Sequence, residues 1–333
     1  MPEPRAPGET DAQVKARLEI RDFDEDLFTM SAAEAKRNFS HANGKYNVEL
    51  FLFNLIWNDR QAIVRGDLPP VHGNIRSWWY GRVKPLFSRV GVPKFKEKYD
   101  AMIGKLVELV MDQQLIHYRD FGFRDEGQAN RRIGDANPHV IVVSEKLGHL
   151  PLLEQLGRDY GVTYYGLGGQ PSVLSMEYFL REYAAAGFTD QTIHIFTIVD
   201  FDPAGHNIAQ NYSLGLQLLG YQGAIFPTSL VHPSHMSPSQ IALNKYGLPR
   251  SNAQQTRTAN WIQETGGLRN FGDTSKYGQG LEADAMSWAQ LTAVFDVAVA
   301  DVLIVPRDTV IRRRLKRELL EVLTQHFIRR AFS

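Results

Sequence analysis

The chain has 333 residues with 37 basic and 37 acidic side chains, 43% hydrophobic residues and no cysteine. That length suits two domains or one large one with a sizeable core, and the missing thiols exclude disulfides, zinc ribbons, iron–sulfur clusters and thiol nucleophiles. The neutral total hides an uneven spread. Arg76, Arg82, Lys84, Arg89, Lys94, Lys96 and Lys98 crowd the stretch from Asn74 to Lys98, whereas acids outnumber bases from Ile141 to Gln290. Such a division fits a protein that grips phosphates in one place and cations in another, although each run also suits a solvated helix face.

Residues 1–25 are polar, with early Pro and Gly and later acids, and are expected to form a flexible extension without a signal-peptide core. No apolar run reaches the ~18 residues of a membrane span, and a cytoplasmic location is expected, nucleoid-associated in a prokaryote. Ser31–Gly66 has a helical pattern with an apolar face through Val48, Leu50, Phe51, Leu55 and Ile56. LPPVHGN breaks it, and Ile75–Phe87 resumes it, weakened by Pro85. Tyr99–Gln114 places Met102, Ile103, Leu106, Leu109 and Val110 on one helical face. The alternating LIHYRDFGFRDEG that follows predicts a short strand–turn–strand, the wing of a winged helix. Residues 26–136 are therefore expected to be a winged-helix DNA-binding domain.

From Asn137 the texture changes. HVIVVSEK, VTYYGLGGQP, TIHIFTIVDFDPAG and GAIFPTSL predict strands, and the segments between them predict helices. That alternation indicates an α/β domain with a largely parallel sheet across 137–333, closed by a basic helix over Val310–Phe332. Ser234–Tyr277, rich in Ser, Asn, Gln and Gly, is expected to hold long loops.

Glu145 directly follows the first of these strands, and Asp200 and Asp202 follow the third. In an open parallel sheet ligands bind beyond the carboxyl ends of the strands, so the three acids are expected to face one crevice. Strand alternation puts Asp200 and Asp202 on one side. Three carboxylates suit a hard divalent cation, Mg2+ above all. Taken alone, Asp-Phe-Asp also suits a strand exit that caps the next helix. Of the histidines, His194 is expected to pack within a strand, while His206 lies near enough to the two aspartates for an outer role. No zinc-like spacing occurs.

A second candidate is Arg76-Ser77-Trp78-Trp79-Tyr80. Arg76 and Tyr80 are four residues apart on one helical face, with Arg82 and Lys84 just beyond. A neighbouring guanidinium favours phenolate and can hold a phosphate bidentately. Trp-Trp-Tyr is equally a hydrophobic payload. Tyr99 and Tyr118 fit the pattern less well.

Strand–Glu followed by strand–Asp-x-Asp and a tight Pro/Gly turn resembles the Toprim domain of topoisomerases, primases and related nucleases. More narrowly, SEKLG, GLGGQPSVLSMEYFLREY and IVDFDPAGHNIAQNYSLG resemble successive stretches of the topoisomerase VI A subunit and the related meiotic double-strand-break protein. Gly169-Gln170-Pro171 matches that family's Gly-x-Pro. Ser175 and Met176 stand where its Thr-Arg pair is usual, and Ser77, Trp78 and Trp79 depart from its tyrosine motif. GLEADAM, with Glu282 and Asp284, resembles a later acidic segment and reads best as a salt-bridging one. The resemblance spans about Asn74 to Met286. It implies Tyr80 as nucleophile with Arg76 beside it, and Mg2+ at Glu145, Asp200 and Asp202. It further implies double-stranded DNA as substrate, a 5′-phosphotyrosyl intermediate, and a homodimer that pairs one protomer's tyrosine with its partner's metal site. No P-loop occurs, so any ATP-driven strand passage would need a separate GHKL-type ATPase B subunit; the short length favours a compact stand-alone type. The competing readings are a Toprim nuclease that hydrolyses DNA without a covalent bond, and a non-catalytic DNA-binding subunit. A primase-type transferase is disfavoured by the absence of cysteine.

Overall fold

The computed structural model describes residues 3–92 and 95–331, without the side chains of 95–97, 252–253, 330 and 331. Lys94 and Phe332 lie outside the described residues, as does the side chain of Lys96. The chain divides into two compact units. The first comprises residues 1–126 with 173–179 and 218–220; the second comprises 127–172, 180–217 and 221–333.

The first unit is helical. It contains α1 (Asp11–Arg17), α2 (Ala32–Phe39), α3 (Val48–Arg65), α4 (Ile75–Trp78), α5 (Lys84–Val90) and α6 (Phe95–Val107). The central α3 starts at Asn47, whose side chain accepts from the Leu50 N–H, and ends at Gly66 in the left-handed conformation. Phe51, Leu52, Leu55 and Ile56 on α3 are buried, as the apolar spacing requires, and pack with Phe39, Phe87, Met102 and Leu106. The polar segment before residue 26 is not a free extension. Thr10 caps α1 with a reciprocal bond to Gln13, and Val14, Leu18 and Ile20 are buried in the same core. Three inward side chains anchor a segment whose average polarity suggests otherwise.

The expected wing is also absent. Residues Tyr118–Phe121 form a 3-10 turn, and no strand pairing occurs between 115 and 126. Tyr118, Phe121 and Phe123 are buried, with the Phe121 and Phe123 rings stacked at 5.0 Å. The alternation of large and polar residues there reflects a coil that drops aromatics inward, not a ladder.

The second unit is α/β. Its sheet contains β1 (Arg131–Arg132), β2 (Asn137–Ser144), β3 (Val162–Gly166), β4 (Ile193–Ile198) and β5 (Ile225–Ser229), in the order β1-β3-β2-β4-β5. β1 is antiparallel, and the other four are parallel. β2 is buried along its whole length, as a continuous apolar run in a covered parallel sheet should be. The connections carry α7 (Leu150–Tyr160), α8 (Val173–Ala185), of which residues 173–179 belong to the first unit, and α9 (Pro203–Leu218), whose last residue does too. Beyond β5 come α10 (Pro238–Asn244), β6 (Lys245–Gly247), α11 (Asn252–Thr265), β7 (Gln279–Leu281), α12 (Trp288–Val299) and α13 (Arg307–Ala331); β6 and β7 pair antiparallel. The polar 234–277 stretch thus holds two helices and a strand among its loops. From β2 the chain passes to β3 on one side, then crosses to β4 on the other. The carboxyl ends of β2 and β4 therefore flank the switch point where open α/β sheets bind ligands. Among the described residues no helix is long and apolar enough to cross a membrane.

Candidate functional site

Glu145 follows β2 directly, and Asp200 lies two residues beyond β4. Ser144 pairs with Ile198 in register, and the Glu145 N–H donates to the Ile198 carbonyl, so both acids emerge at that switch point. The turn into α9 depends on Gly205, where a Cβ would sit 2.0 Å from the Asp200 carbonyl oxygen. Asp202 Oδ1 accepts the Gly205 N–H at 2.7 Å, so this acid does cap a helix. Its Oδ2 accepts from the Tyr246 hydroxyl at 2.7 Å. Burial and that donated bond raise the Tyr246 pKa, which makes it a fixed donor and no nucleophile.

A third segment completes the cluster. Phe201 exchanges backbone hydrogen bonds with Leu281 at the end of β7, and the Ala283 N–H donates to Asp200 Oδ1 at 2.8 Å. This docking delivers Glu282 and Asp284. Lys146 stands at the centre: its Nζ lies 3.0 Å from Asp200 Oδ1, 2.7 Å from Glu282 Oε2 and 3.0 Å from Asp284 Oδ2. Burial would lower the Lys146 pKa, but the hydrogen bonds to Glu282, Asp284 and Asp200 outweigh it and raise it. The GLEADAM acids do form a salt bridge, to a lysine that sequence reasoning passed over although it adjoins Glu145.

Glu145 is treated differently. Its carboxylate is half-buried and makes no side-chain hydrogen bond or ion pair among the described residues. Burial, then Asp200 and Asp202, push its pKa up, with Lys146 opposing. One ammonium thus pairs with three carboxylates, Asp200, Glu282 and Asp284, while Glu145 and Asp202 add further negative charge nearby. Oxygen-only donors with surplus charge suit a hard divalent cation in chemistry. In arrangement, among the described residues no group of three or more Asp, Glu or His is drawn together as a metal cage. The Lys146 ammonium already occupies an oxygen of Asp200, one of the three expected ligands.

His149 supports this cluster from below. It is buried, with Nδ1 2.8 Å from the Ser144 hydroxyl and Nε2 3.1 Å from Asp284 Oδ1. The Asp284 carboxylate accepts from Nε2–H, and Nδ1 shares a hydrogen bond with the Ser144 hydroxyl, which also donates to the Ile198 carbonyl at 3.2 Å. The Ser–His–Asp order resembles a hydrolase triad, but Ser144 is fully buried and has no access to a substrate. The contacts with Lys146 and then His149 hold Asp284 below the usual carboxylate range. His206 takes no part: its Nε2 lies 2.9 Å from Glu264. His194 packs in β4 against the Phe226 ring, as expected for a strand histidine.

In the first unit, Tyr80 is 49% exposed, whereas the other twelve tyrosines are half-buried or buried. The cation of Lys84 lies 4.8 Å from its ring centroid and that of Arg76 lies 5.6 Å away, so the spacing does bring these three side chains together. The helix widens to a π turn across Trp79–Val83, a local departure common at functional sites. Trp78 and Trp79 are buried beneath it, and are the hydrophobic payload their composition suggests. Trp78 Nε1 donates to Asp59 Oδ2 at 2.5 Å, and the Arg82 guanidinium lies 2.7 Å from Asp59 Oδ1, a charge contact without hydrogen-bond alignment. Asp59 thereby anchors residues on both sides of Tyr80. Tyr99 and Tyr118 fail as rivals because burial raises both phenols.

No protein-family model matches this chain, and no curated protein shows significant similarity to it.

Proposed function

We propose that the chain is a topoisomerase VI A-like enzyme that breaks both strands of DNA through a covalent link to Tyr80. The observation that carries this reading is the exposure of Tyr80 between two cations; Tyr277, which also lies between two cations, is only half-exposed. In this proposal the helical first unit grips duplex DNA in the manner of a winged-helix domain, without its wing. The α/β second unit serves as the Toprim domain.

Arg76 and Lys84 would neutralise the scissile phosphate. The Tyr80 oxygen attacks phosphorus, its proton passing to solvent; the bond to the 3′-oxygen breaks, and that oxygen takes up a proton. The 5′-phosphotyrosyl ester conserves the bond energy, so the reverse attack by the 3′-hydroxyl can reseal the strand. Glu145, Asp200 and Asp202 would hold Mg2+, which when bound supplies Lewis-acid stabilisation of charge on the phosphoryl and leaving oxygens. For these residues to do so, Lys146 must yield its contact with Asp200. Tyr246, the Gly205 N–H and the Ala283 N–H keep the two aspartates oriented meanwhile. A homodimer would place the two cuts by its two-fold symmetry.

The test is supercoiled plasmid with protein and MgCl2, stopped with detergent and run with and without proteinase. Linear DNA that carries bound protein until proteinase treatment is expected. Linear DNA migrating freely without proteinase would replace the covalent reading with a hydrolytic one.

A further inference from the structure

A cavity of about 470 Å3 opens in the second unit, lined by residues around β1, by α7 and by the first turns of α13. None of the carboxylate-cluster residues lines it. Five arginines do: Arg132, Arg158, Arg313, Arg314 and Arg317, against the acids Asp135 and Glu154. Two of the five are engaged. Arg314 lies 2.7 Å from Asp159, and Arg158 approaches Glu154 at 4.0 Å. Arg132, Arg313 and Arg317 make no side-chain hydrogen bond or ion pair among the described residues. Arg313 and Arg317 are four residues apart and share one face of α13.

The floor is held by close backbone packing. A Cβ on Gly134 would fall 2.3 Å from the Gly161 carbonyl oxygen, and one on Gly157 would fall 2.7 Å from the Tyr164 ring. The concavity is therefore fixed by the chain path, not by the arginine side chains themselves. Three like charges facing one space repel each other, and a multivalent anion converts that repulsion into binding. Guanidinium forks match phosphate oxygens bidentately. The volume lies within the ~300–1,000 Å3 range of small-molecule sites. Duplex DNA is read by extended basic stripes, whereas a concave pocket of this size selects a compact ligand.

We propose that this cavity binds a small polyphosphate anion, with Arg132, Arg313 and Arg317 as its phosphate ligands. The experiment is isothermal titration calorimetry of the full chain with sodium tripolyphosphate, in low salt and with EDTA so that divalent cations play no part. Binding at one site per chain is expected, weakened about tenfold or more by Arg313→Gln and further by Arg313→Gln with Arg317→Gln. Arg312→Gln, on the same helix but outside the cavity lining, should bind as the parent does. ATP titrated in parallel distinguishes the source: tighter binding than tripolyphosphate marks a nucleotide, and equal binding marks inorganic polyphosphate. Absence of tripolyphosphate binding overturns the proposal, as does binding that the double variant retains while its unfolding temperature matches the parent's. Loss of duplex-oligonucleotide binding in the double variant, with no competition by tripolyphosphate, would also overturn it and assign the arginines to DNA.

Discussion

The two candidate centres meet their charge in opposite ways. Around Tyr80 the charges are cationic, with Arg76 exposed and Lys84 half-buried, and the anchoring acid, Asp59, is buried. At the carboxylate cluster the charges are anionic, half-buried at Glu145, Asp200 and Asp202 and exposed at Glu282 and Asp284, and the protein supplies its own counter-ion in Lys146. The first centre can receive an anion with little rearrangement. The second must exchange one cation for another before a metal can enter, with Glu145 the side chain left unpaired to begin that exchange. Substitutions that act on one centre alone therefore test whether the contrast has functional meaning.

The largest effect is expected at Tyr80. Tyr80→Phe removes one exposed hydroxyl, so its unfolding midpoint should stay within about 0.5 kcal/mol of the parent's. Covalent DNA–protein product should fall by on the order of 10^4-fold or more, as when a nucleophile is deleted. Detergent-trapped complexes measured by gel report this directly. Undiminished cutting by the variant would show that the exposed phenol is incidental.

Next in size is the cationic surround. Arg76→Gln with Lys84→Gln should lower the cleavage rate roughly a hundredfold, from two lost charge-assisted phosphate contacts. DNA binding should weaken less, and the slope of its salt dependence should shrink by ~2. Equal losses in binding and cleavage would demote both residues to generic DNA contacts.

How much of this contrast was legible in the sequence follows from the range of the interactions. The placement of Glu145, Asp200 and Asp202 beyond strand ends was readable because strand ends and α/β alternation are local patterns, and the sheet order brings β2 and β4 side by side. Arg76 and Tyr80 were readable because helical spacing is local too. Lys146, Tyr246 and His149 were not given roles, because each gains one from a contact across many residues. Lys146 reaches Glu282 and Asp284, and Tyr246 reaches Asp202, through the docking of β7 on the Asp200 turn. The wing was misread for a related reason: an alternating pattern specifies a strand only when a partner strand exists, and residues 115–126 have none. The N-terminal segment was misread because average polarity cannot reveal three buried contacts.

Asp59 offers a test confined to the first centre. Burial outweighs the attraction of Arg82 and the Trp78 hydrogen bond, and lifts its pKa to about 6 from an ordinary carboxylate value. A folded-state value above the unfolded one means that the native state holds the proton more tightly. The stability contributed is full in acid and is lost as the pH rises from about 4 through about 6, by roughly 1–3 kcal/mol in all. Urea midpoints of the parent should fall across that window in part for this reason. In Asp59→Asn, which keeps an acceptor for Trp78, the fall should be smaller by that amount. An unchanged pH profile would mean that Asp59 stays ionised through its pairing with Arg82.

The smallest expected effect separates the two centres most cleanly. Lys146 is 29% exposed and its partners Glu282 and Asp284 are 51% and 64% exposed, so solvent weakens these pairs and their net worth is about 1 kcal/mol. Lys146→Met should lower stability by about that much in EDTA, because the remaining carboxylates then repel one another without a counter-ion. Added MgCl2 should restore the loss, and should stabilise the variant more than the parent, whose ammonium competes for the same oxygens. Thermal unfolding with and without MgCl2 measures both quantities. If parent and variant respond alike to MgCl2, Lys146 does not stand in for a metal. The carboxylates would then be a structural network, and the centre at Tyr80 would have to work without them.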